Sequence, residues 1–364
     1  MDDAVHLQRI HTPVKREAAE RYVLVSLVSF GATVIVTRVF LELTGYPQLA
    51  ARQLHIAHVL WGGLLLFIAA LFPLILANQW ALTVGAVLSG VGVGLFIDEV
   101  GKFITRDNDY FYPPAAAIIY AFFLLTVLLY LQVRRSPAEN ARALMYRVLE
   151  GLTEVLDRDL QPEEHAALKS RLQRVARESR DPQLVRLARD LLAFLDIEGL
   201  RLVTRPPGAF QRWLERVLTL IQRFFARPRL KLVLIVGFGW VGFFALIQLI
   251  GLLIAVFNPD PVTAELTAAL VTDVEAESVG DVLWFTVRIV LEGGVGILYT
   301  AAVVLLLAGR DRIGLNIGIM SLLVSLTAVN LLVFYLDQFQ AVFGTLVQWG
   351  LLWSATSYRR RFLS

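Results

Sequence analysis

The sequence predicts an all-α integral membrane protein with about eight transmembrane helices, as two parallel four-helix halves with a helical cytoplasmic insert between them. Three observations predict this fold. Hydrophobic residues make up 57% of the 364 residues, and the mean hydropathy is +0.62. Only 18% of the residues are charged, and most of these lie in one central block. Apolar runs of about 20 residues, enough for a helix to cross a bilayer, flank that block on both sides.

Four apolar runs precede the central block. The first covers residues 22–43, and the fourth covers residues 114–133. Between them, residues 53–114 hold two runs that are separated only by Asn78-Gln79-Trp80. A link this short makes a helical hairpin, so the two far ends of the hairpin lie on the same face of the membrane.

Four more apolar runs follow the block, at residues 230–257, 282–308, 313–336 and 342–358. Their lengths are again close to the number of residues that crosses a bilayer. We therefore expect the following five segments: a cytoplasmic N-terminal segment (1–21), a first membrane half (22–135), a cytoplasmic insert (136–229), a second membrane half (230–358) and a cytoplasmic tail (359–364).

The placement of Lys and Arg sets the orientation of these spans. Basic residues cluster before the first and fifth runs, after the fourth and eighth runs, and between the sixth and seventh. Because basic residues near span ends favour the cytoplasmic side, both termini and the insert are predicted to be cytoplasmic in a multi-pass plasma-membrane protein.

The insert has the signals of a helical bundle. Ser136-Pro137, Gln161-Pro162 and Asp181-Pro182 each resemble a helix start with proline in the first turn. Residues 210–224 alternate apolar and basic positions at helical spacing, which is typical of a helix in the headgroup region. We expect the lipid bilayer, and anionic lipid at the insert, to be the partners; no nucleic-acid-binding motif is present.

The two membrane halves also share short matching segments in the same order. VSFG at Val28 matches VGFG at Val236, and VLWGG at Val59 matches VLEGG at Val290. Since the matching spans would begin on the same side of the membrane, these segments predict a parallel internal repeat.

Most residues with functional chemistry lie near the outer end of the hairpin. His55 and His58 are three residues apart and share one helical face, and Asp98 and Glu99 lie at the same height on the neighbouring span. His55, His58 and Asp98 are therefore candidate ligands of a divalent metal. The alternative is that the histidines pair with the acidic residues or cap loop carbonyls.

Small residues and charges share one row of span three. Ala86, Gly90, Gly94, Asp98 and Lys102 are spaced four residues apart, so the glycines allow close approach of another helix. Asp98 and Lys102 could pair with each other along this row, as could Arg38 and Glu42 in span one.

The second half places ionisable groups within its spans. Arg288 and Glu292 share a face of span six with Asp281 and Tyr299, and Asp337 shares a face of span seven with Asn330. An ionisable residue inside a span points to a binding site or pathway, and an internal ion pair is the alternative. We expect His55, His58, Asp98, Glu99 and Lys102 to converge, with Arg288 and Glu292 nearby.

The hairpin also carries a resemblance. The segments LHIAHVLWGG and GLFIDEVGKFIT resemble a block of bacterial polytopic membrane proteins. The resemblance covers only this hairpin. It implies a polytopic membrane topology, and it implies no activity.

Three classes of function fit these observations. The first is a transporter-like or channel-like protein for a small solute or ion. The second is a membrane-embedded, metal-dependent hydrolase acting at the outer leaflet, and the third is a scaffold or sensor that couples to the cytoplasmic bundle. The chain has no cysteine, which excludes thiolate metal sites and cysteine nucleophiles, and it has no serine-elbow, P-loop or zincin motif.

Overall fold

The fold of the described residues is almost wholly helical. The computed structural model describes residues 13–44, 50–51, 54–55, 58–107, 109, 112–135, 140–197, 202–203, 227–257 and 279–363. Its one described strand pair is short and antiparallel, with Ala50 opposite His55. The predicted all-helical membrane class is confirmed.

The helices of the first part of the chain follow the predicted runs closely. In chain order the elements are α1 (Ala19–Thr44), β1 (Ala50–Ala51), β2 (Leu54–His55), α2 (His58–Ile75), α3 (Gln79–Asp98), α4 (Val100–Ile104), α5 (Pro113–Arg134), α6 (Ala141–Gly151), α7 (Thr153–Leu156), α8 (Pro162–Glu178) and α9 (Pro182–Leu195).

The later part of the chain contains four long helical segments. Its elements are α10 (Arg227–Phe257), α11 (Val279–Leu307), α12 (Asp311–Val324), a π-helical turn (Ser325–Val329), α13 (Asn330–Leu336), a 3₁₀ turn (Gln338–Gln340) and α14 (Ala341–Phe362). We call the continuous segment α12–π turn–α13 span seven.

Among the described residues, seven helical segments are long and apolar enough to cross a membrane: α1, α2, α3, α5, α10, α11 and span seven. The predicted eighth span corresponds to α14, which has 22 residues but is not apolar enough to belong to this group. Several of its polar residues, among them Thr345, Ser354 and Ser357, are buried. The parallel repeat and the predicted segment boundaries stay predictions.

Contacts divide the chain into two compact units. The first unit groups residues of Met1–Thr33, Leu60–Leu95 and Leu125–Arg212, and the second groups those of Val34–Val59, Phe96–Leu124 and Trp213–Ser364.

The first unit contains the insert bundle, whose core comes from α6, α8, α9 and Leu160. Leu144, Val148 and Leu172 are among its fully buried side chains. Two predicted helix starts are present: the backbone N–H of Gln161 donates to Glu164, and Asp181 accepts from the backbone N–H of Gln183. These caps satisfy backbone donors that a helix start leaves free.

Ion pairs attach this bundle to the start of α1. The Arg171 guanidinium donates to both oxygens of Glu17, at 2.5 and 2.7 Å, and Arg16 donates to Glu150 at 3.0 Å. At the α2–α3 turn, Asn78 donates to Asp157 at 3.1 Å. Within this unit, the insert, the start of α1 and the hairpin turn therefore lie at the same end.

The second unit is organised around α10, α11, span seven and α14. Leu234, Phe238, Leu322, Leu351 and Tyr358 belong to its fully or nearly fully buried apolar core. At one end of this core, Asp311 accepts hydrogen bonds from Lys231 at 2.6 Å and from the Tyr358 hydroxyl at 2.8 Å. The start of α10, the start of span seven and the end of α14 meet there.

Several predicted features lie outside the described residues. These are the helix start at residues 136–139, the headgroup helix at 210–224, and the side chains of Glu42, His55 and Asp281. The anionic-lipid partner that the headgroup helix suggested stays a prediction.

Candidate functional site

Glycines of α3 allow close contact with α1. A Cβ atom added at Gly90 would lie 2.3 Å from the Ser26 carbonyl oxygen, and one added at Gly94 would lie 2.7 Å from the Thr33 Cβ. Neither position has room for a side chain. This agrees with the packing role that the row of small residues predicts.

One turn further along α3, Asp98 contacts Arg38 of α1. The Arg38 Nε donates to Asp98 Oδ1 at 2.5 Å, and its Nη2 donates to the Asp98 carbonyl oxygen at 3.0 Å. Both residues are buried. The sequence suggested pairs within each helix, whereas the structure gives Asp98 and Arg38 a partner across the α1–α3 contact.

His58, at the start of α2, bridges two carboxylates. Its Nε2 lies 3.1 Å from Asp98 Oδ2, and its Nδ1 lies 3.0 Å from Glu99 Oε1. An ionised carboxylate only accepts hydrogen bonds, so two ionised carboxylates require both ring nitrogens to carry protons. We call Arg38, His58, Asp98, Glu99 and Lys102 the histidine cluster.

Glu99 is the acidic residue of this cluster that follows the end of α3. Its burial opposes ionisation, but His58 and Lys102 outweigh that effect and lower the pKa of Glu99 from 4.5 to about 2. Lys102 donates to Glu99 Oε1 at 3.1 Å. The other oxygen of Glu99 is buried without a hydrogen-bond partner among the described residues.

The metal hypothesis stays a prediction. Among the described side chains, no group of three or more His, Asp or Glu could hold a metal ion. His55 lies in β2, but its side chain is outside the described part of the structure. The contacts of His58 and Asp98 are those of an ion-pair network.

A second group of charges lies on α11 and at the end of span seven. The Arg288 guanidinium donates to Glu292 Oε1 at 3.2 Å through Nε and to Asp337 Oδ1 at 2.5 Å through Nη1. The structure therefore brings together the three site residues that the sequence placed in the second half.

These three side chains line a cavity of about 310 Å³ between α10, α11, span seven and α14. Tyr299 and Ser325 also line it. The Tyr299 hydroxyl is buried and faces the Ser325 side chain. We call this space the arginine cavity.

The π turn of span seven borders the arginine cavity. Such turns recur at functional sites because they displace backbone groups from the regular helical pattern. Here the Tyr120 hydroxyl of α5 donates to the Leu326 carbonyl oxygen at 2.6 Å. One turn later, Asn330 donates to Thr345 Oγ1 and to Gln348 Oε1, both at 3.0 Å, which joins span seven to the polar face of α14.

The apolar core of the second unit closes the deep end of the cavity. The ring centroids of Phe238 and Tyr299 are 5.7 Å apart, and a Cβ atom at Gly318 would lie 2.4 Å from the Phe238 ring. Beyond Tyr299, towards Asp311, the packing is therefore apolar and tight.

The histidine cluster and the arginine cavity are linked through Phe339. The Arg38 guanidinium carbon lies 3.9 Å from the centroid of the Phe339 ring, a cation–π distance. Phe339 follows Asp337 by two residues.

Thr345 and Gln348 were not among the residues predicted from the sequence. The available signal was the presence of polar side chains within an apolar run.

Replacing Asp98 by Asn should destabilise the protein by about 3 kcal/mol, because Arg38 would lose its buried counter-ion. Thermal unfolding in detergent, followed by tryptophan fluorescence, measures this effect. Asp107→Asn is the matched control, since Asp107 is exposed, and should unfold like the parent protein. Equal unfolding temperatures for both variants would show that the Arg38–Asp98 pair is not a major source of stability.

Comparisons with protein-family models, with curated proteins and with solved structures gave no match. The function of the chain is therefore inferred from its own geometry.

Proposed function

We propose that this chain is a multi-pass membrane transport protein that binds a small solute in the arginine cavity. One observation carries the proposal. The cavity combines three ionisable side chains, Arg288, Glu292 and Asp337, with the hydroxyls of Tyr299 and Ser325. Ionisable side chains that border an open space within a spanning unit are typical of a binding site or pathway.

The depth of the cavity supports this proposal. Arg288 precedes Leu307, the last residue of α11, by 19 positions, which corresponds to about 28 Å at 1.5 Å per residue. Tyr299 lies about 16 Å deeper than Arg288 by the same measure. The cavity thus extends from near one end of the span to about the middle of a hydrocarbon core roughly 30 Å thick.

Polar and charged groups at this depth are costly and mark substrate or ion pathways in membrane proteins. The apolar core beyond Tyr299 would close the pathway on the Asp311 side. A cavity that is sealed on the Asp311 side fits a transporter in one of its two access states better than a continuous channel.

We further propose that α14 is an eighth crossing. Its first residue, Ala341, lines the arginine cavity. Near its other end, the Tyr358 hydroxyl donates a hydrogen bond to Asp311 at the start of span seven. It therefore runs alongside span seven. Its 22 residues correspond to about 33 Å, enough to cross a bilayer. Eight crossings would place both termini on the same side of the plasma membrane, and the basic residues near the span ends favour the cytoplasmic side.

The geometry of His58 gives less support to a hydrolase. A general base needs a ring nitrogen that is free to take a proton from water or substrate. Both His58 nitrogens contact carboxylates. The histidine cluster is better suited to holding α1, α2 and α3 together beside the cavity.

The topology can be tested by labelling, because the chain has no native cysteine. In intact cells, Asp109→Cys should react with an impermeant maleimide. Ser170→Cys and Arg361→Cys should react only after the membrane is permeabilised. Labelling of Arg361→Cys from outside would contradict the eighth crossing, and labelling of Ser170→Cys from outside would reverse the orientation.

Transport predicts that the deep part of the cavity is reached from both sides of the membrane in turn. Ser325→Cys should react with a small hydrophilic thiol reagent in right-side-out and in inside-out vesicles. Leu323→Cys is the matched control, because Leu323 is 42% exposed on the surface of span seven and should face lipid.

Labelling of Ser325→Cys from one side only would contradict transport and favour a sensor or scaffold with a one-sided site. Absence of labelling from both sides, with the protein folded, would show that the cavity is not open to water.

A further inference from the structure

We propose that the solute of the arginine cavity is an organic cation: a protonated or quaternary ammonium group attached to an apolar group. This inference rests on the proposed function, in which the cavity binds a solute. It is carried by the charge of the lining residues, by the contacts that Arg288 already makes, and by the aromatic wall of the cavity.

The cavity has an excess of negative charge. Among the described lining residues, two carboxylates, Glu292 and Asp337, face one guanidinium, Arg288. With all three ionised, the formal charge is −1. An uncompensated carboxylate is costly at this depth, so a bound cation would stabilise the site.

The Arg288 guanidinium is not free to bind an anionic solute. It already binds one oxygen of Glu292 and one oxygen of Asp337. An anionic solute would have to displace these carboxylates and would leave them without a partner. The described hydrogen bonds use one oxygen of each carboxylate, so the second oxygen of each can still accept from, or pair with, an ammonium group.

Aromatic side chains also line the cavity. Trp240 and Phe244 of α10 line the cavity with Phe343 of α14. The ring centroids of Trp240 and Phe244 are 4.7 Å apart. Aromatic faces attract ammonium groups and exclude anions, so this wall and the two carboxylates favour the same class of solute.

The same aromatic residues suggest where the solute enters. These three side chains line the cavity and are also exposed on the surface of their helices. The exposed fraction is 63% for Trp240, 47% for Phe244 and 77% for Phe343. Exposed side chains at this height of a spanning helix face the acyl chains of lipid. An apolar group on the solute could thus pass between α10 and α14, while the ammonium group reaches Glu292 and Asp337.

The size of the cavity fits a small molecule of this kind. Cavities of about 300 Å³ are at the lower end of the range that holds small ligands. A single aromatic ring with a trimethylammonium group is a suitable probe. The Tyr299 hydroxyl at the deep end supplies a polar contact without requiring a second charge.

Phenyltrimethylammonium tests the inference directly. The purified full chain in nanodiscs of zwitterionic lipid should bind this cation saturably in calorimetric titrations. Binding should be about tenfold weaker for Asp337→Asn, which removes one carboxylate. Asp107→Asn, an exposed acidic residue outside the cavity, is the matched control and should bind like the parent.

A second variant avoids the ion pairs. Trp240→Leu removes an aromatic face but leaves Arg288, Glu292 and Asp337 unchanged, so the fold should be retained. It should weaken binding of the cation by about threefold to tenfold. Unchanged affinity for Trp240→Leu and for Asp337→Asn would overturn the assignment of the site.

Two further probes separate charge from shape. tert-Butylbenzene, the neutral isostere, should bind much more weakly than the cation, and benzenesulfonate should not bind. Equal binding of the cation and its neutral isostere, or saturable binding of benzenesulfonate alone, would overturn the cation inference.

The labelling of Ser325→Cys does not depend on which solute is chosen. If Ser325→Cys reacts from both sides and phenyltrimethylammonium does not bind, the cation inference fails and transport stands. If Ser325→Cys reacts from neither side, transport itself fails.

Discussion

A charged side chain inside a bilayer needs a partner, and the described structure meets this constraint twice with an Arg–carboxylate pair. Arg38 binds Asp98 across the contact between α1 and α3, and Arg288 binds Glu292 and Asp337 between α11 and span seven. An unpaired charge at these depths would cost several kcal/mol, about as much as the entire stability margin of many proteins. These pairs join α1 to α3 and α11 to the end of span seven.

Small residues make one of these pairs possible. Gly90 and Gly94 bring α3 within contact of Ser26 and Thr33, and the next turn of the same helix carries Asp98 to Arg38. His58 then fixes the start of α2 against Asp98 and Glu99. In span seven, Asn330 has a comparable role, because it connects the polar face of α14 to the cavity wall.

Much of the fold could be predicted from the sequence, because apolar run length and helix caps are local signals. The helical spans, the hairpin turn at Asn78 and the helix starts at Gln161 and Asp181 all follow from such signals. The eighth run was harder to assess. Its polar residues lower its hydropathy, yet Thr345 and Ser354 are buried inside the second unit and do not face lipid.

The partners of the charged residues could not be predicted in the same way. Spacing within a helix identifies pairs such as Arg288 and Glu292. Contacts between helices, such as Arg38 with Asp98 and Arg288 with Asp337, depend on how one helix is rotated against another. The π turn changes that rotation within span seven, and it has no clear signature in the sequence. The arginine cavity itself depends on this rotation.

A double-mutant cycle on Arg288 and Asp337 tests most directly whether paired charges determine the structure. Arg288→Met, Asp337→Leu and the double variant would be compared by reversible unfolding in detergent. Arg288→Met leaves Asp337 without its cation, and Asp337→Leu leaves Arg288 with Glu292 as its remaining carboxylate. We therefore expect the double variant to be more stable than the sum of the single effects by about 2 kcal/mol. Effects that add to within about 0.5 kcal/mol would contradict the pair as an organising interaction.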